Sequence, residues 1–253
     1  MSRIPTTFDA VPIPVKSVPR GRSLSWGRHW QAITIALLAV YAGMPLLAPA
    51  FMRLGWVGPA ETIYAVYSTQ CHQLPQRSLF LFGEQPSYSL PEIQSAYQAT
   101  TDLLLLRKFV GNQVMGWKVA WSDRMTSMYL SLLLFTILYR PVLRRLRLPW
   151  WFFALLLLPL AIDGITHAAS DLAGIGNGFR DSNAWLAALT RNALPSTFYA
   201  GDALGSFNSG MRWLSGLLFG LAVAGLALPQ LEAAFGARSH PPDPKTKRLP
   251  LES

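Results

Sequence analysis

Apolar residues in this chain are gathered into four blocks separated by polar, proline-bearing and arginine-bearing stretches. Residues 30–52, 117–139, 150–169 and 211–231 each approach or exceed the roughly 20 residues a helix needs to cross a bilayer. The pattern predicts an all-α integral membrane protein with four transmembrane helices and helical or irregular outer loops at 53–116 and 170–210. Ala48-Pro49-Ala50 has the small-x-small form of a signal-peptidase site. The block before it is longer than a signal h-region, so an uncleaved anchor is expected.

The polar stretches differ in kind. Residues 1–29 carry Pro5, Pro12, Pro14 and Pro19 among scattered basic groups, and residues 232–253 are again proline-rich and basic, so both are expected to be disordered tails. Within 53–116, Glu61 to Gln70 places Ile63, Val66 and Tyr67 on one face, which suits a short interfacial helix. Pro75 predicts a break, and Pro91 opens a helix continuing toward Phe109. Residues 170–210 form a long Gly-, Ser- and Asn-containing connection, a length usually reserved for functional or disordered segments.

Composition agrees with a membrane protein: 51% of residues are hydrophobic and only 14% charged. The net charge of +9 is unevenly placed. The two tails and the 140–148 link hold 13 of the 22 Lys and Arg with four acidic residues, and the rest of the chain sums to zero. With both termini cytoplasmic, the whole surplus lies inside, as the positive-inside rule expects of a multi-pass protein in the bacterial plasma membrane. Anionic lipid headgroups then account for the high pI, and no nucleic-acid partner is needed. The single cysteine, Cys71, excludes an intramolecular disulfide.

Ionisable residues within apolar blocks are costly and face a protein interior, where they form a site or a structural ion pair. Asp163 and His167 share one face of the third block, about 6 Å apart along the helix axis. Arg124 lies at a comparable depth in the second block, so Arg124 and Asp163 are expected to meet. His167 should lie nearer the outer surface, at the level of Ala120, Trp121 and Arg212. Cys71, His72, Arg77, Arg180 and Asn183 belong to the outer loops above. Two chemistries fit these residues. In one, Asp163 is an acid or base with His167 and Arg124 beside it, Arg180, Asn183 or Arg77 holds an anionic ligand, and Cys71, His72, Asp163 and His167 ligate a divalent metal. In the other, the ions neutralise one another and lock the bundle.

Cys71-His72-Gln73 with Pro75 and Arg77-Ser78, then Arg124 with Tyr129, Pro159, Asp163-Gly164, Thr166, Arg180, Ser182 and Asn183, resemble the predicted-membrane-protein family catalogued as domain of unknown function number twenty eighty-five. Cysteines that often flank the second-span arginine in that family are replaced here by Ser122 and Met125. His167 stands where glutamine is usual. Against that pattern residues 184–210 read as an insertion, whose Trp185, Phe198, Tyr199 and Phe207 are candidate anchors for other membrane subunits. The resemblance implies a four-helix architecture with a shared polar centre and carries no reaction. The expected role is a scaffold or accessory subunit of a membrane complex. The alternative is a membrane-embedded enzyme or metal-binding protein acting on a lipid-like substrate.

Overall fold

The computed structural model describes residues 26–145 and 149–236, so the expectations for the tails beyond those limits lie outside the described residues. Among the described residues three helices are long and apolar enough to cross a membrane: α1 (Trp26–Arg53), α6 (Trp150–Asp171) and α10 (Phe207–Gly236). α1 and α10 extend past the expected blocks at both ends, since chain flanking an apolar run continues a helix wherever backbone hydrogen bonds remain available. Pro45, Pro49, Pro159 and Pro229 lie within these helices. Neighbouring helices make such interruptions tolerable in a bilayer.

The second apolar block is the departure from expectation. Residues 116–122 form a strand, and only α5 (Asp123–Ile137) is helical, 15 residues or about 22 Å at 1.5 Å per residue. It falls short of the roughly 30 Å hydrocarbon thickness, so the expected count of four spanning helices is not met by length. Gly116-Trp117-Lys118-Val119-Ala120-Trp121-Ser122 is rich in aromatic and branched residues, which suits a strand. It pairs antiparallel on both sides, giving a small sheet of β1 (Ser78–Leu81), β2 (Gly111–Asn112) and β3 (Gly116–Ser122) in the order β1-β3-β2. A short, mainly apolar run of this kind does not distinguish a buried strand from a helix turn, and that ambiguity produced the all-α expectation. The protein is mainly helical with this added sheet.

Around the sheet lie α2 (Val57–Tyr67), a 3-10 turn at Pro75–Arg77, α3 (Leu90–Ala96) and α4 (Leu103–Leu106). Ser89 and Glu92 make the reciprocal cap that starts α3. The 170–210 connection contains α7 (Phe179–Ser182), α8 (Ala184–Leu189) and α9 (Ser196–Tyr199). Left-handed backbone at Gly174 and Gly176 turns the chain back over the end of α6.

The membrane helices pack through small residues. α5 and α6 both lie against α10 and scarcely touch each other. A β-carbon at Gly216 would come 2.6 Å from the Ser127 β-carbon, and one at Gly220 would overlap Ser131. Ser127 Oγ and Ser131 Oγ donate to the carbonyls of Trp213 and Gly216 at 2.7 and 3.0 Å. This is the close approach that small residues four apart permit, supplemented by hydroxyl bonds across the interface. At the far end Trp30, Tyr139, Ala224 and Leu228 form an apolar cluster. The start of α1 therefore meets the ends of α5 and α10.

Candidate functional site

At the opposite end, buried charges from six segments converge. Arg124, near the start of α5, donates from Nη2 to Asp163 Oδ2 at 2.6 Å, the contact expected from their depths. Arg180 reaches the other Asp163 oxygen at 2.7 Å, and its remaining nitrogens donate to Asn208 and Thr166. Asp163 is fully buried. One carboxylate thus carries two guanidiniums.

A second half of the network centres on Asp202. Arg77 Nε donates to Asp202 Oδ2 at 2.7 Å, while its Nη1 and Nη2 grip both oxygens of Asp171 at 2.7 Å. Arg212 donates to Asp202 Oδ1 and to Asp123 Oδ1, both at 2.7 Å, and to the Asp202 carbonyl at 2.6 Å. Ser209 donates to the remaining Asp123 oxygen. Such fork-like pairs are the geometry guanidiniums favour.

His167 stands between the halves. Its Nδ1 lies 3.0 Å from the Asp163 carbonyl and 3.3 Å from Asp163 Oδ1, and its Nε2 lies 3.5 Å from Arg212 Nη1. Nε2 also lies 3.6 Å from Asp202 Oδ1, so the ring faces a carboxylate through each of its nitrogens. The expected level of His167, beside Arg212, is the observed one.

The loop groups are held in defined charge states. Burial pushes the Asp202 carboxyl up, but Arg77, His167 and Arg212 more than offset it and hold it well below the usual carboxylate range. Burial opposes the charge on Arg77 as well, and Asp202 and Asp171 overcome that and raise its pKa. His72 keeps part of its surface open to solvent, yet its Nδ1 accepts the Leu74 N–H at 3.0 Å, which requires the neutral ring. Surrounding protein, then Arg77, Arg212 and Arg124, lower its pKa to about 3. Burial of Asp181 raises its carboxyl.

Cys71 is buried, and its sulfur accepts the Gln73 and Ser122 N–H groups at 3.5 and 3.4 Å. It faces β3 rather than the carboxylates. Cys71, His72, Asp163 and His167 do not form a ligand set, and among the described residues no three His, Cys, Asp or Glu side chains converge for a metal. Asn183 adopts left-handed backbone and donates to the carbonyls of Arg180 and Tyr199 at 2.8 and 2.7 Å, so it braces Arg180. Of the four aromatic residues expected as anchors, Tyr199 is buried and Phe198 packs on Phe207, leaving Trp185 as the large exposed one.

Asp171, Asp202, Asn208 and Ser209 were missed as network members. Asp202, within residues 184–210, lies between Arg77 and Arg212. The available signal was the zero charge sum of the chain outside the two tails and the 140–148 link, which foreshadows internal pairing. Lys118 is fully buried, has no carboxylate partner among the described residues, and donates to the carbonyls of Gln73 and Arg107 at 2.8 and 2.6 Å. Burial lowers its pKa to about 7.

No solved structure matches this chain. An uncharacterized protein of Methanocaldococcus jannaschii is 28% identical over 163 residues, covering 61% of this chain and 80% of the relative. The family model described as "Predicted membrane protein (DUF2085)" matches residues 112–226. That segment holds Asp123, Arg124, Asp163, His167, Asp171, Arg180, Asp202 and Arg212, while Arg77 and the Cys71-His72-Gln73 stretch precede it. Over residues 112–226 this chain is therefore similar to the DUF2085 family of predicted membrane proteins.

Proposed function

We propose that this protein is a non-catalytic scaffold or accessory subunit of a membrane complex, with the buried network as its lock. The observation that carries this reading is saturation of the carboxylates. Asp163 and Asp202 each hold two guanidiniums, Asp171 is gripped by Arg77, and Asp123 is divided between Arg212 and Ser209. A general base needs a free lone pair facing a substrate, and a metal needs ligands not already taken by cations. The same pairs join α5, α6, α7, α10, the Pro75–Arg77 turn and the 202 loop.

Both termini are proposed to be cytoplasmic at the plasma membrane, with α5 as a fourth pass. In support, α10 spans 20 residues, about 30 Å, from Arg212 in the network to Glu232 beside Tyr139. Arg144, in the basic link, pairs with Glu232 at that same end. The proposed partner surface is the tip of α8, where Trp185 and Leu189 are exposed one turn apart.

A cavity of about 850 Å³ beside α3, lined by Glu92, Gln94, Asp181, Thr197 and Leu204, favours a second reading as a ligand-binding or enzymatic protein. Two measurements separate the readings. A photo-crosslinking residue at Leu189, activated in cells, should give a protein adduct of one defined mass, and lipid adducts alone would contradict the scaffold. Stoichiometric metal in purified protein, lost in both His72→Ala and His167→Ala, would favour the enzymatic reading.

A further inference from the structure

The four guanidiniums of the network are not equivalent. Arg77, Arg180 and Arg212 use Nε and both terminal nitrogens in hydrogen bonds. Among the described residues Arg124 makes one side-chain bond, through Nη2, and its buried Nε has no partner. Its side chain is 20% exposed, against 5%, 8% and 2% for the others. Unused guanidinium donors near the hydrocarbon boundary are costly unless something occupies them.

Charge is distributed with the same asymmetry. Around Asp163 two guanidiniums meet one carboxylate, a local surplus of one positive charge. Around Asp202 two guanidiniums meet the carboxylates of Asp123, Asp171 and Asp202, a deficit of one. The positive excess thus lies on the side that carries the unused donors.

The surroundings of Arg124 suit a ligand that is part ion and part hydrocarbon. Arg124 bridges two helices that scarcely touch, and Gly164 lies under its Nη1 with no side chain to cover it. One turn further along α5, Ser127 begins a groove of about 330 Å³ whose walls are Leu130, Leu134, Leu214, Leu217 and Trp213. The Trp213 Nε1 is another buried donor without a partner. A phosphate ester accepts several charge-assisted bonds from a guanidinium, and an acyl chain fills an apolar groove.

We propose that Arg124 and this groove form a binding site for one anionic phospholipid, with the phosphate on Arg124 Nη1 and a chain along α5 and α10. The site does not depend on the scaffold reading, since a lipid so placed would serve an enzyme equally. The test is native mass spectrometry of full-length protein in non-ionic detergent, titrated with short-chain phosphatidylglycerol, phosphatidylcholine or inorganic phosphate. Phosphatidylglycerol should bind at least about tenfold more tightly than phosphatidylcholine, and Arg124→Gln should remove that preference. Should Arg124→Gln fail to fold, Gly164→Leu decides, because it keeps the charge and covers the donors. A β-carbon there lies 3.5 Å from Nη1, an ordinary contact. Equal binding of the two lipids, or an undiminished preference in a folded variant, would overturn the proposal. Displacement of phosphatidylglycerol by equimolar inorganic phosphate would overturn the lipid assignment in favour of a free anion.

Discussion

The two ends of the helical bundle are held by different physics. At one end, Arg77, Arg124, Arg180 and Arg212 interlock with Asp123, Asp163, Asp171 and Asp202 in a largely buried network. At the other, Trp30 packs edge-on against Tyr139 over Ala224 and Leu228, and the Arg144–Glu232 pair lies open, with Arg144 59% exposed. In lipid, apolar contact gives little drive for helices to associate, because acyl chains satisfy the same surfaces. Directional bonds at the first end therefore determine how the helices are arranged. The second end is expected to follow.

Breaking the network should have the largest effect. Asp202→Asn leaves Arg77 and Arg212 each short of an anion, and removal of one partner from a buried pair costs about 3–5 kcal/mol. Unfolding in mixed micelles should register that loss, and a change below about 1 kcal/mol would mean the network does not fasten the end. Next comes the packing between the ends. Gly220→Leu forces α10 away from Ser131 and should cost about 1–3 kcal/mol, read by the same unfolding curve.

A pH series examines Lys118, a buried cation with no carboxylate partner among the described residues. The Lys118 pKa falls from its ordinary 10.5 to about 7 on folding. Between those values the unfolded chain holds the extra proton, so stability should rise with pH by about 1 kcal/mol per unit. Lys118→Met should flatten that slope, and an unchanged slope would assign it to another group. The smallest effect belongs to the open end. Glu232→Gln should alter stability by less than about 1 kcal/mol, as exposed ion pairs do, so a loss as large as that of Asp202→Asn would erase the distinction between the ends.

Much of this contrast was legible in the chain. Three apolar blocks announced membrane helices, and the depths of Arg124 and Asp163 predicted a contact that the fold makes. Residues 117–122 were not legible, because a short run of Trp, Val and Ala satisfies a strand as well as a helix until its pairing partners are known. Asp202 was hidden for another reason. It lies on an irregular loop whose path no periodicity describes, and only the fold brings it to Arg77, 125 residues away. The exposed aromatic surface expected of 184–210 shrank because Phe198, Tyr199 and Phe207 pack on their own loop.

The central claim, that mutual saturation of charges fastens this end, is tested most directly by a double-mutant cycle across α5 and α10. Arg212→Met, Asp123→Leu and the double variant would be compared by reversible unfolding in mixed micelles. The account predicts a coupling of about 2 kcal/mol or more, with the double variant less damaged than the sum of the two single variants. Strictly additive losses would contradict it, because they would mean that Arg212 and Asp123 stabilise the protein independently.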